Sequence, residues 1–224
     1  MADYEEETAG KKLAGFIEKR KVGFIICLIV IICLLAGYVI FASVANSNKV
    51  KGLQAIDEIT FEMTDKSSGL SDSEIEARLN TAFEKASAYT KKGGIVGARA
   101  NMLCADITYQ QKKYAESADF WKAAAEKSRK SYIAPLCYFN LASCYEETGN
   151  KDDAATYYKM AADDKNFVVR AHALFSYGRV LESKGNYADA AAAYTELTDN
   201  FSDDAWANLA KSRMIALKKD GKIE

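Results

Sequence analysis

Histidine occurs once in this chain, at His172. Hydrolytic or transfer chemistry at a serine or cysteine needs a base beside the nucleophile, most often a histidine, and a third group to orient that base. A single imidazole leaves little room for such an arrangement, so no catalytic residue is expected. The acidic pairs Asp152-Asp153, Asp163-Asp164 and Asp203-Asp204 fall at helix starts or in loops. Carboxylates there complement the helix dipole, and a divalent cation would need further convergent oxygen ligands. Gly93-Gly94-x-x-Gly97 resembles a phosphate loop only superficially, because no Lys-Ser or Lys-Thr follows and no strand precedes it. Cys104, Cys137 and Cys144 are the cysteines outside the apolar N-terminal segment. Cys137 and Cys144 are separated by seven residues of one helix, roughly 10 Å, too far to bridge. All three read as small buried hydrophobes. The expectation is a chain with no metal site, no cofactor and no small-molecule substrate.

The elements that carry these residues are helical. One proline in 224 residues, with abundant Ala, Glu, Lys and Leu, points to an all-α chain. Thirty Lys and Arg nearly balance 31 Asp and Glu. A near-neutral domain lacks the basic footprint of a nucleic-acid binder.

Residues 22–45 read VGFIICLIVIICLLAGYVIFASVA, without a charge. That is about the 20 apolar residues a helix needs to cross a bilayer. A soluble core helix would carry a polar stripe, and a cleaved signal peptide, the other competitor, has a shorter apolar stretch of 7–15 residues. Lys11, Lys12, Lys19, Arg20 and Lys21 precede the segment, whereas only Lys49 and Lys51 follow it closely. The positive-inside bias then puts the N-terminus in the cytoplasm and the large domain across the membrane, in a bacterium in the periplasm. The expected organisation is a cytoplasmic tail (1–21) with a disordered acidic start, a transmembrane helix (22–45), juxtamembrane helices (46–96) and a repeat domain (97–224). The three cysteines beyond the membrane lean the other way, toward a reducing compartment.

The second half repeats itself. Small residues recur at Ala105, Ala142 and Gly178, and large aromatics at Trp121, Tyr158 and Tyr194, with intervals of 37 and 36 in both series. A further small position recurs at Ser117, Ala154 and Ala190. A period in this range marks stacked helical hairpins. Gly149-Asn150 and Gly185-Asn186 supply the turn between the two helices of a unit. Leu53, Ile56, Ile59 and Met63 form one helical stripe ahead of the repeats. Ser71 to Glu74 is a capping-box pattern opening a helix with Ile75, Leu79, Phe83, Ala86 and Tyr89 on its apolar face. No proline separates the membrane segment from the first stripe, so the helix is expected to run on.

These residues resemble the tetratricopeptide repeats. Tyr138-x-x-Leu141-Ala142-x-x-Tyr145 with Gly149, Ala154, Tyr158 and Ala161 matches that family's pattern, as does Leu174-x-x-Tyr177-Gly178-x-x-Leu181 with Gly185, Tyr187, Ala190 and Tyr194. The first unit is looser, with Asn101 and Thr108 where large residues are usual. Trp206-x-x-Leu209-Ala210 repeats the first-helix signature without a second helix and is expected to cap the array. The resemblance implies a right-handed α-solenoid of about three repeats with a degenerate leading hairpin. It places a protein-binding concave face on Arg99, Met102, Asp106 and Tyr109 of the first unit, on Phe139, Asn140, Ser143 and Glu146 of the second, and on His172, Phe175, Arg179 and Glu182 of the third. Family members that clamp chaperone C-terminal carboxylates use Lys or Arg and Asn at set positions. Asn140 matches one, while Met102, Asp106, His172 and Ser176 do not, so that clamp is expected to be absent.

The layout is similar to the ancillary subunit of the bacterial Sec translocon (SecYEG) and to the repeat proteins of the spirochaete periplasmic flagellar collar. It implies a non-enzymatic, single-pass scaffold of the inner membrane that holds a protein partner. Two alternatives share the same fold: a cytosol-facing receptor on an organelle membrane, and a regulator of a periplasmic enzyme.

Overall fold

The computed structural model describes residues 2–129 and 131–224, with the side chains of residues 2–9 and Leu13 left aside. The described residues form nine helices and no strand: α1 (Ala2–Thr64), α2 (Asp72–Ser87), α3 (Gly94–Gln110), α4 (Tyr114–Lys127), α5 (Ala134–Glu147), α6 (Lys151–Asp163), α7 (Arg170–Ser183), α8 (Tyr187–Asn200) and α9 (Ala205–Lys219). The chain divides into two compact units, Met1–Lys51 and Gly52–Glu224.

The described residues of the first unit are all helical. Its most apolar 18 residues have a mean hydropathy of 3.2 and none of them is buried, as a membrane span or a signal segment would present itself. Two expectations meet α1 differently. The helix does run on past Ala45, to Thr64. It also begins at Ala2, where a separate disordered start was expected. No proline or glycine lies between Ala2 and Gly10, and the acidic residues Asp3 and Glu5 to Glu7 stand where they complement the positive end of a helix dipole. Near the apolar stretch Arg20 lies over the Phe16 ring, 5.5 Å from its centroid.

In the second unit the last turns of α1 carry Ile56 and Ile59 into a core shared with Leu79, Ala82 and Ala86 of α2 and Val96, Ala100 and Leu103 of α3. This is the expected leading hairpin. Glu74 closes half of its capping box by accepting from the Ser71 amide at 2.8 Å and from its hydroxyl at 2.6 Å. Ile75, placed on the apolar face by spacing, stays 37% exposed.

Three hairpins follow, α3–α4, α5–α6 and α7–α8, each packed against the next, and α9 closes on α7 and α8. At each crossing a small residue of the first helix meets an aromatic of the second. Ala105 shares a core with Trp121, Ala142 with Tyr158, and Gly178 lies beneath Tyr194. Every one of these residues is buried. Small side chains bring the helix axes close, and the ring fills the remaining volume.

The turns within the hairpins have one design. In the second, the Asn150 amide donates to Tyr145 O at 2.8 Å and the Gly149 amide to Glu146 O at 3.0 Å, with Gly149 at φ +78°. Asn186 and Gly185 repeat this at the end of α7, on Leu181 O and Glu182 O. Both are Schellman closures. The first unit closes likewise, Lys113 on Thr108 O and Lys112 on Tyr109 O, but Lys112 adopts φ +60° without being glycine. A side chain in that region costs about 1 kcal/mol. Asn101 and Thr108, unusual at their family positions, are buried because each bonds the backbone. Asn101 donates to Thr90 O and Gly97 O, and Thr108 to Cys104 O and Ala105 O.

Candidate functional site

The first helix of each hairpin presents equivalent positions at intervals of 37 and 36 residues. They form four rows: Arg99–Leu136–His172, Met102–Phe139–Phe175, Asp106–Ser143–Arg179 and Tyr109–Glu146–Glu182. The structure separates the twelve residues expected on the binding face into those that the chain itself occupies and those left open.

The third unit is largely occupied. The Trp206 indole of α9 stacks on the His172 imidazole, with ring centroids 3.9 Å apart and planes 7° off parallel. Trp206 also lies 5.2 Å from Phe175, which is only 9% exposed and touches Tyr194. Glu182 accepts from Tyr194 Oη at 3.0 Å and from Arg213 of α9 at 3.1 Å through Nε. His172, Phe175 and Glu182 therefore seat α9 instead of lining an open face. The His172 pKa is lowered, chiefly by burial and secondarily by Arg179, so the ring is neutral at pH 7.

The second unit is tied to the third. Glu146 accepts from Arg179 Nη2 at 2.7 Å, from Arg179 Nη1, and from Tyr158 Oη at 3.1 Å. Asp152 pairs with Lys184, and Lys151 reaches Ser183 O at 3.2 Å. The Tyr158–Glu146–Arg179 group and the Tyr194–Glu182–Arg213 group are one device used twice. In each, a second-helix tyrosine and the next unit's arginine converge on a first-helix glutamate. Burial, the largest influence, raises the pKa of both tyrosines. Sequence reasoning missed this device, although Glu146 and Glu182, like Tyr158 and Tyr194, stand 36 apart.

The open part spans the first two units. Arg99 is already engaged, its Nη2 2.7 Å from Asp57 Oδ1 near the end of α1. Met102, Tyr109, Phe139, Asn140 and Ser143 are half-buried. Tyr109 meets Tyr114 edge-on at 5.1 Å, and Phe139 meets Tyr158 at 5.4 Å and His172 at 4.8 Å. Asn140 donates to Leu136 O at 3.0 Å, and Ser143 shares a 3.0 Å hydrogen bond with Tyr158 Oη.

Asp106 differs from all of these. Its side chain is exposed to water, yet burial pushes its carboxyl up to about 6. The carboxylate reaches water at its tip while the bulk of the first two hairpins lies around it. Its charge is felt by the Cys137 and Cys144 thiols of α5. Among the described residues no hydrogen bond or ion pair engages Asp106. A carboxylate held above its ordinary value opposes folding once ionised: that cost is absent below about pH 4, grows through pH 6 and is complete above it. Because the group is exposed, solvent screening trims the cost to about 1 kcal/mol. Asp106→Asn is therefore expected to raise the melting temperature by about 2–4 °C at pH 7.5, with no gain at pH 4. Thermal melts of both proteins at the two values check this.

The thiols have no open chemistry. Cys104, Cys137 and Cys144 are each 0% exposed. Burial pushes Cys104 up to about 12 and the other two to about 11. Cys144 donates to Ser117 Oγ at 3.3 Å. A thiol without water or thiolate character resists oxidation, which removes the objection that free cysteines raised against an oxidising compartment.

The family model described as "Tetratricopeptide repeat-like domain" matches residues 16–221. A "TPR repeat-containing protein" of Treponema pallidum (strain Nichols) is 35% identical over 146 residues, 65% of this chain and 61% of the relative. The match thus spans about three fifths of that relative's length. The crystal structure of MamA protein superposes with a TM-score of 0.47 at 15% identity, covering 69% of this chain and 85% of that one.

Proposed function

The chain belongs to the tetratricopeptide repeat-like family, and on that premise we propose that it is a non-enzymatic, membrane-anchored scaffold whose first-helix face binds a protein partner. The observation that carries the reading is the open stretch of that face on the first two units. There Met102, Tyr109, Phe139, Asn140 and Asp106 are left accessible, while His172, Phe175 and Glu182 of the third unit are taken up by α9. Aromatic and methionine side chains beside polar ones suit an extended peptide or a docking helix. The apolar length of α1 and the basic residues before it support a single-pass anchor with the repeats on the periplasmic side. The layout supports an envelope assembly, translocon-associated or of the flagellar-collar kind. One relative comes from a spirochaete, which favours the second.

Photoreactive side chains placed at Tyr109 and Phe139 should crosslink one and the same protein from intact membranes, while those at Tyr132 and Val168, 87% and 96% exposed outside the face, should not. Equal crosslinking at all four sites would remove the face as the binding surface. Topology needs its own probe, because buried Cys137 and Cys144 cannot report it. In a Cys27→Val, Cys33→Val background, Val168→Cys should react with a membrane-impermeant maleimide in intact spheroplasts. Gly10→Cys should react only after permeabilisation. The reverse pattern would support a cytosol-facing receptor.

A further inference from the structure

The chemistry of the partner can be read from the charges the face leaves unsatisfied. Two carboxylates on equivalent first-helix rows, Glu146 and Glu182, each receive an arginine from the following element, Arg179 and Arg213. The arginine of the first unit is also consumed, Arg99 by Asp57. What remains is negative. Asp106 is exposed with no cation on it, and Glu147, exposed at the end of α5, is close enough to act on Tyr109. Met102, one turn before Asp106 on α3, and Phe139, its equivalent on α5, offer half-buried apolar surface on the same first-helix rows.

We propose that the bound segment places a lysine or arginine side chain on Asp106 and an apolar side chain on Met102 and Phe139. This inference rests on the reading above that the first-helix face binds a protein. The chain supplies an arginine to Glu146 and to Glu182 and withholds one from Asp106. A partner's ammonium or guanidinium would give the exposed Asp106 carboxylate a charge-assisted hydrogen bond, stronger than one between neutral groups. The α5 groups that its charge reaches are thiols that stay protonated, and the exposed carboxylate at the end of that helix, Glu147, adds a second negative charge to the same face. An acidic partner would meet Asp106 and Glu147 together and be repelled, a form of selection against wrong ligands.

The test uses the full chain in detergent micelles and a displayed library of random dodecapeptides. The expected consensus has Lys or Arg within a few positions of Leu, Met or Phe. For a synthetic peptide of that consensus, Asp106→Asn should weaken binding about tenfold. Replacing the peptide's cation by norleucine should cost the same on the native chain and almost nothing on the variant. A neutral or acidic consensus, or binding indifferent to Asp106→Asn, overturns the cation assignment alone. Binding that also ignores Phe139→Ala and Met102→Gln, with circular dichroism unchanged, overturns the first-helix face as the site. Enrichment of no peptide at all counts against both.

Discussion

Tyr194→Ala is expected to lower the stability of the repeat domain by about 4 kcal/mol, the range for emptying a buried aromatic site. Tyr194 is among the largest fully buried side chains, with 0% exposure. Its ring covers Gly178, where a Cβ would stand 2.5 Å from Cε1. The helices are thus already in contact, and α7 has no side chain at that point to fall into the void. The hydroxyl adds a separate loss, because Glu182 would keep Arg213 but lose the tyrosine proton. Tyr194→Phe isolates that part and is expected to cost about 1 kcal/mol. Ile215→Ala, on the outer side of α9 and 68% exposed, should stay within about 0.5 kcal/mol. Urea titrations followed by circular dichroism give all three values. A Tyr194→Ala loss no larger than that of Ile215→Ala would show that the ring does not hold the third hairpin together.

Gly97→Ala is expected to destabilise by about 3 kcal/mol, although helix propensity alone favours alanine there by about 1 kcal/mol. Gly97 lies inside α3, but the turn before the helix folds back over it. A Cβ would stand 1.8 Å from the Lys92 carbonyl oxygen and 2.7 Å from its carbon. Backbone cannot swing aside as a flexible side chain can, so either the turn opens or α3 shifts, and overpacking of this kind costs 1–3 kcal/mol or more. The same turn is pinned by Asn101, which donates to Thr90 O as well as to Gly97 O, so opening it costs a buried amide one of its two hydrogen bonds. Gly93→Ala, with nothing within 4 Å of its Cβ and no positive φ, should be close to neutral. If Gly97→Ala melted at or above the native temperature, the close approach of Lys92 would be refuted.

Much of the fold was legible in particular residues. The small-to-large pairs and the Gly-Asn turns located the second and third hairpins, and Trp206-x-x-Leu209-Ala210 located the last helix. The first unit was harder to read because its turn uses Lys112 in a left-handed conformation where its neighbours use glycine. Asn101 and Thr108 also occupy core positions by bonding the backbone instead of by bulk. The binding face was legible as positions but not as surfaces. Equivalence between units says which way a side chain points, not what comes to rest on it. Trp206 and Arg213 arrive from α9 and Asp57 from α1, each more than 30 residues from the side chain it engages. No local spacing encodes such meetings. Asp106 was among the expected residues, but its lack of a partner only becomes visible once Arg99, Arg179 and Arg213 have found theirs.

The uneven joints between hairpins have a mechanical meaning. The second and third hairpins are bolted by Glu146–Arg179, Asp152–Lys184 and Lys151 on Ser183 O. Among the described residues no ion pair crosses from the first hairpin to the second, where packing and the Cys144–Ser117 contact do the joining. In a linear array each seam melts according to its own strength. The seam between α4 and α5 is thus held by packing instead of by charge. An occupant bridging Met102 and Phe139 would straddle that seam as a splint, adding a tie where the chain relies on packing.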